Sequence, residues 1–282
     1  MIRALATLAA VPLAAGSVPP SGAAQVAYSA FALEGVVAQG GLLRGAVPKG
    51  TVRLTLDGKG VPFAPDRRFV IALDRDAASP ATLEAELDGG SVVREVLTVA
   101  PRAWRIERLD TLPRISRPSA EFARLRPPEL AQIVAARALE TDAQGWRQRF
   151  IWPATGRISG LFGSQRIYKG EPGAYHSGVD VAGPVGAQVV APAEGVVILA
   201  ADHPFTLEGN LLMIDHGMGL NSAFLHLSRI DVRVGQHVRQ GDPLGAIGRT
   251  GRATGPHLHW AMKWRDVRID PQPLAGTMAI GR

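Results

Sequence analysis

The sequence predicts a mainly β protein: an N-terminal β-sandwich-like module, a helical linker and a C-terminal, largely antiparallel β domain. Three observations lead there. The 282 residues include 32 glycines and 21 prolines with only 6% aromatic content, a balance that suits short strands and many turns better than long helices. Short strand-like runs recur on both sides of the centre. Between them lies one stretch without alternation, rich in Ala, Leu, Arg and Glu.

The elements follow in order. Residues 1–24 hold one basic residue, Arg3, then an apolar run from Ala4 to Ala15 and small residues before a cleavage point after Ala23 or Ala24. The run is too short to cross a bilayer and reads as a signal peptide. Residues 25–100 form the first β module. "TVRLTLDGKGVPF" (51–63) reads as two strands around Asp57-Gly58, and "RRFVIAL" (67–73), "ATLEAEL" (81–87) and "SVVREVLTV" (91–99) as three more. Residues 101–150 form the linker. "RPSAEFARLRPPELAQIVAARALE" predicts one helix or two, with Pro127-Pro128 opening the second, because proline is tolerated in a first helical turn. Residues 151–282 return to strands, among them "AQVVAPAEGVVILA" (187–200), "NLLMIDHG" (210–217), "NSAFLHL" (221–227) and "PHLHWAMKW" (256–264).

Composition narrows the chemistry. A hydrophobic content of 46% is ample for a packed core. There is no cysteine, so disulfides and thiol catalysis are excluded, and any metal site must be built from His, Asp and Glu. The net charge of +6 favours polyanionic surroundings, an acidic cell wall among them. No basic run interleaves with aromatics, so nucleic acid is not an expected partner. No apolar run beyond the N-terminal one approaches the roughly 20 residues of a membrane helix, so no membrane span is expected in the mature chain. An exported, periplasmic protein is expected, since no wall anchor or repeat-type wall-binding segment is evident.

The candidate site residues stand in three stretches. "YHSGVDVAGPVG" (175–186) offers His176 and Asp180, "FLHLS" (224–228) offers His226, and "PHLHW" (256–260) offers His257 and His259. In a strand, residues two or four apart share a face, so His257 and His259 point the same way, and His176 and Asp180 converge if their segment is extended. Such converging nitrogen and oxygen ligands suit a tetrahedral zinc site, in which three protein ligands leave one position for water. Spacing alone does not choose between His257 and His259 as ligand. His216 in "IDHGMG" reads as structural, and Asp215 as either an orienting group or a strand-end aspartate. His203 and His237 are assigned no role. Ser177 lacks the G-x-S-x-G frame of a nucleophile elbow, and "GAIGRTGRATG" (245–255) fits neither phosphate-loop fingerprint. Arg166 and Tyr175 lie near enough in sequence to touch substrate.

"HSGVD", "FLHLS" and "GPHLHW" together resemble the motif set of the lysostaphin- and LytM-type zinc endopeptidases, which cut peptide cross-links in bacterial peptidoglycan. The resemblance covers about residues 156 to 271, and three motifs in the right order make it specific. It implies a LytM-type β fold over the C-terminal domain and makes His176, Asp180 and His259 the zinc ligands. It puts His226 and His257 at the positions of the catalytic histidines. The implied substrate is the peptide stems of peptidoglycan. Two rivals accompany it: a non-catalytic wall-binding or amidase-activating protein on the same fold, and a zinc peptidase acting on a protein.

Overall fold

The structure, a computed structural model, describes residues 30–111 and 119–278. The signal peptide expected over 1–24 lies outside the described residues. The first part contains β1 (Glu34–Gly35), β2 (Leu42–Ala46), β3 (Thr51–Leu56), β4 (Lys59–Val61), β5 (Arg68–Ala72), β6 (Ala81–Leu87) and β7 (Val92–Leu97). They form two sheets, ordered β1-β2-β5 and β4-β3-β6-β7. The alternation of β6 explains the packing. Ala81, Leu83 and Ala85 are buried while Thr82 and Glu84 are only partly so, and the inward set meets Phe31, Phe69, Ile71 and Leu97 in one core.

The segment after residue 100 holds the expected helix together with a short strand. It contains the strand β8 (Ile106–Leu109), one α-helix, α1 (Ala120–Arg137), and a 3-10 turn at Gly145–Arg147. Ser119 caps α1, its hydroxyl accepting from the Phe122 N–H at 3.1 Å. Pro127 and Pro128 lie inside this single helix and do not open a second one. Each proline removes one backbone donor, so the carbonyls of Ala123 and Arg124 lose their usual helical partners. Docking of the helix offsets that loss. Ile133 and Ala136 pack on Ile198, Leu199, Leu211 and Met213, and Glu129 accepts from the Thr206 N–H and hydroxyl, both at 2.6 Å. Arg126 clasps Glu208 through two bonds of 2.6 and 2.8 Å.

The second part comprises β9 (Arg157–Gly160), β10 (Gln165–Tyr168), β11 (Glu171–Pro172), β12 (Gly178–Ala182), β13 (Gln188–Val190), β14 (Gly195–Ala200), β15 (Asn210–Asp215), β16 (Leu220–Leu227), β17 (Arg229–Ile230), β18 (His237–Val238), β19 (Pro243–Ala246), β20 (His257–Trp264) and β21 (Val267–Ile269). Its main sheet has eight strands in the order β18-β14-β15-β16-β20-β12-β9, with β21 also on β20. All its pairs are antiparallel. The parallel pairing of β8 with β10 ties the connecting segment to this part.

Side-chain alternation gives this sheet two different faces. On β20, Leu258, Trp260, Met262 and Trp264 enter the main core with Val179 and Val181 of β12. His257, His259, Ala261 and Lys263 therefore share the opposite face, and so does Asp180, which pairs with His259 in register. Helix α1 rests on that same face, where Met213, Ala223 and Leu225 meet it. Among the described residues, no helix is long and apolar enough to cross a membrane.

Candidate metal centre

Three ligand atoms converge. His176 Nε2 lies 3.1 Å from Asp180 Oδ1 and 3.0 Å from His259 Nδ1, and His259 Nδ1 lies 2.8 Å from the same Asp180 oxygen. Each atom comes from a different backbone position. Asp180 and His259 are direct partners on β12 and β20. His176 sits in the segment just before β12, and its Nδ1–H donates to the Leu161 carbonyl at 3.1 Å. A carbonyl only accepts, so that bond fixes the proton on Nδ1 and leaves Nε2 for the cluster.

The triangle has the size of one face of a small tetrahedral coordination shell. Metal–ligand bonds of about 2.0–2.1 Å put neighbouring ligand atoms roughly 3.3 Å apart, close to the separations here. A His₂Asp donor set is one that zinc accepts. The electrostatics agree. Burial alone would raise the Asp180 carboxyl, but hydrogen bonds from His176 and His259 outweigh it and hold the group well below the usual carboxylate range. Burial lowers His259, so the ring is neutral, as a ligand must be. For His176 burial pulls the same way, but the bond to Asp180 wins and raises it. A cation arriving there would displace that proton.

Two glycines make room for this cluster. A side chain at Gly160 would collide with Asp180 Oδ2 and crowd the His176 ring, and one at Gly178 would run into the Trp260 carbonyl and His259 Nε2. Gly160 pairs with Asp180 where β9 and β12 shift register.

His226 and His257 stand beside the three ligand atoms. Their rings lie 4.8 Å apart between centroids, and His226 lies 6.2 Å from His259. His257 Nε2 is 3.7 Å from Asp180 Oδ1, farther than His259 Nδ1. Each donates its Nδ1–H to a backbone carbonyl at 2.8 Å, His226 to Thr250 and His257 to Gly255. Both therefore keep Nε2 as a free base. Burial lowers the pKa of His226 to about 4, so it is neutral near pH 7.

The local fold that delivers His226 is irregular. Between β15 and β16 the register slips, with Phe224 opposite Leu212 and Leu227 opposite Asn210. The extra residue is a bulge, and His226 has φ of 65° within it. Leu225 pairs with His259 and Leu227 packs into the main core, so the bulge leaves two consecutive side chains, Leu225 and His226, toward the site. The Glu208 carbonyl accepts from the His226 N–H at 2.8 Å and fixes the bend.

The other candidates lie elsewhere. His216 is fully buried, bonded to the Glu194 carbonyl and the Ser222 hydroxyl. Asp215 accepts from the Thr141 hydroxyl and N–H and orients no ligand histidine. Arg166 is exposed and paired with Glu107. Tyr175 is flanked by Arg75 and Arg268. Sequence reasoning missed the carbonyls of Leu161, Thr250, Gly255 and Glu208, which hold the histidines. Backbone groups leave no trace in side-chain patterns. The glycines of "GRISGLFG" were the available signal for Gly160.

Fold and site define an antiparallel β protein with a His-Asp-His cluster able to hold a cation and two unencumbered imidazoles next to it. Residues 174–271 match the family model for peptidase family M23. The crystal structure of a Pseudomonas aeruginosa protein described as a peptidase M23 is similar over 85% of this chain and 95% of that one, with 30% identity and a TM-score of 0.64. Vibrio cholerae peptidoglycan DD-endopeptidase ShyA is 40% identical over 116 residues, and Caulobacter vibrioides cell division protein DipM 33% identical over 161. The matches cover 41% and 55% of this chain, and the chain spans about a quarter (26%) of the length of each of these two relatives. The chain belongs to peptidase family M23, a family of metallopeptidases.

Proposed function

We propose that the protein is a zinc-dependent endopeptidase that hydrolyses peptide cross-links of bacterial peptidoglycan. The observation that carries this reading is the gathering of His176, Asp180, His259, His226 and His257 on one sheet face. In it, His176, Asp180 and His259 hold the ion. Zinc supplies Lewis acidity toward a water and the scissile carbonyl. His226 and His257, each with Nε2 free and Nδ1 tethered to the backbone, divide the proton work. One accepts the proton of the attacking water at its free Nε2; the other can stabilise the developing oxyanion only when its own Nε2 also carries a proton, and the proton taken from the water then passes to the leaving amine. Burial of His226 keeps it a base near neutrality.

The substrate class rests on the name of ShyA, a peptidoglycan DD-endopeptidase. Export to the periplasm rests on the N-terminal sequence and suits that substrate. The rival reading, a non-catalytic wall-binding or amidase-activating protein, has one observation in its favour: α1 lies on the site-bearing face. The complete set of five side chains favours the enzyme. The test is digestion of purified peptidoglycan by the mature protein with and without chelator, the products read by mass spectrometry. Chelator-sensitive loss of cross-linked dimers is expected. Zinc binding without any cleavage would overturn the peptidase reading in favour of the rival.

A further inference from the structure

A cleft of about 180 Å³ opens between α1 and the sheet, on the same face as the metal centre. Ser177, His259, Lys263 and Arg268 line it from the sheet side and Arg137 from α1. The cleft lining carries more cations than acids: Arg126, Arg137, Lys263 and Arg268 against Glu208. Arg126 also reaches it, but Glu208 and Glu129 already hold that guanidinium. Arg137 has no ion pair among the described residues, and its Nε is buried without a hydrogen-bond partner there. Among the described residues Lys263 pairs within 4 Å only with Asp266, at 3.9 Å and fully exposed, while Asp74 acts on it from farther away. Arg268 leans on the Tyr175 ring. Burial lowers both Arg137 and Lys263; each is pushed further down by neighbouring cations, Arg137 by Arg268 and Lys263 by Arg137 and Arg268, and the acids Glu208, Asp266 and Asp74 offset this only in part. Three cations crowded together with a buried, unmatched donor are a poor arrangement for stability alone.

We infer that this cleft is a carboxylate-binding subsite, in which Arg137, Lys263 and Arg268 hold a free carboxylate of the peptide whose bond is cut at the metal centre. This rests on the peptidase reading and adds a specificity determinant to it. The chemistry favours a carboxylate: two guanidinium forks and an ammonium match its two oxygens with charge-assisted bonds. The distance suits a peptide. Lys263 is four residues along β20 from His259, about 13 Å at strand rise. A long side chain reaching back brings the carboxylate about two to four residues from the scissile bond. Helix α1 is then a wall of the groove, contributing Arg137, and not simply an obstruction over it. The carboxylate would fix the register in which the peptide lies across the three ligand atoms.

The test uses the whole chain and two probes, cross-linked peptide dimers released from peptidoglycan and the same dimers with their carboxylates converted to carboxamides. Binding is measured by calorimetry on chelator-treated protein, where no cleavage occurs, and cleavage is measured separately on zinc-loaded protein. The natural protein is expected to bind the free-carboxylate dimers about tenfold or more tightly. Lys263→Gln, which leaves the buried Arg137 in place, should bring that ratio toward one, and Arg137→Gln should do the same if it folds. Equal binding of the two probes by the natural protein would overturn the subsite, as would a Lys263→Gln variant that weakens both probes alike. Failure of the peptidase reading looks different: discrimination in binding persists while neither probe is cut.

Discussion

His226 and His257 stand with ring centroids 4.8 Å apart, although a regular β16 would turn His226 to the other face of the sheet. The bulge between Phe224 and Leu227 and the positive φ of His226 bring it back. Such local irregularities cluster where a side chain has to be re-aimed, and the surrounding structure must hold them. Here the Glu208 and Thr250 carbonyls do so, through the His226 N–H and Nδ1–H. If His226 moves a proton, His226→Ala should keep its zinc and lose rate by roughly 10²–10⁴-fold. Metal content and kcat on cross-linked dimers check this together. An unchanged kcat would remove His226 from the mechanism.

The ligands behave differently. His259→Ala removes one vertex of the triangle and should abolish both zinc and activity. Gly160→Ala is the more informative variant, because it alters no ligand. Its Cβ would press on Asp180 Oδ2 and the His176 ring. Groups that orient ligands typically change metal affinity 10–100-fold, and a loss of about that size is expected by competition with a chelator. Zinc affinity equal to the natural protein's would mean that the carboxylate has room to move aside.

Much of this site was readable from residues. The V-D-V of β12 and the H-L-H of β20 alternate as half-buried strands do, and that alternation puts Asp180 and His259 on one face. The H-L-H pattern could not rank its two histidines. Their difference lies in which ring atom faces Asp180, His259 Nδ1 at 2.8 Å against His257 Nε2 at 3.7 Å. Nothing in "AFLHLS" announces a bulge, since it arises from pairing with β15. The helical linker was legible in the Ala, Leu, Arg and Glu content of its sequence, but the number of its helices was not. Its prolines suggested a helix start, but tertiary docking of Ile133, Ala136 and Glu129 carries one helix through both. Strand β8 was missed because it is short and is made by pairing with β10.

The docking of α1 makes its own prediction. Glu129 is buried and accepts two short bonds from Thr206 in addition to pairing with Arg126. Glu129→Ala strands those donors, which costs about 1–3 kcal/mol. The loss should fall mainly on the helix, whose prolines already weaken it. Amide exchange over residues 120–137 should accelerate while exchange in β15, β16 and β20 changes little. Uniform acceleration across the main sheet would mean that α1 and the sheet unfold as one unit.

His216 sets a pH dependence separate from the metal centre. Its ring is completely buried between the Glu194 carbonyl and the Ser222 hydroxyl, which also accepts from Trp260 Nε1. Burial lowers its pKa to about 4, against an ordinary 6.5. The unfolded chain therefore binds a proton that the folded one refuses between those values. Stability from the neutral ring is fully present above about pH 6.5 and is lost as pH falls toward 4. A shift of that size corresponds to about 3 kcal/mol. His216→Gln removes the titration but keeps a side chain that can both donate and accept. The variant should be less stable than the natural protein at pH 7.5, and the difference should shrink by up to that amount at pH 4.5. Urea unfolding at the two pH values, with chelator present throughout, checks this. A difference that stays constant with pH would show that the ring takes up its proton without leaving the folded core.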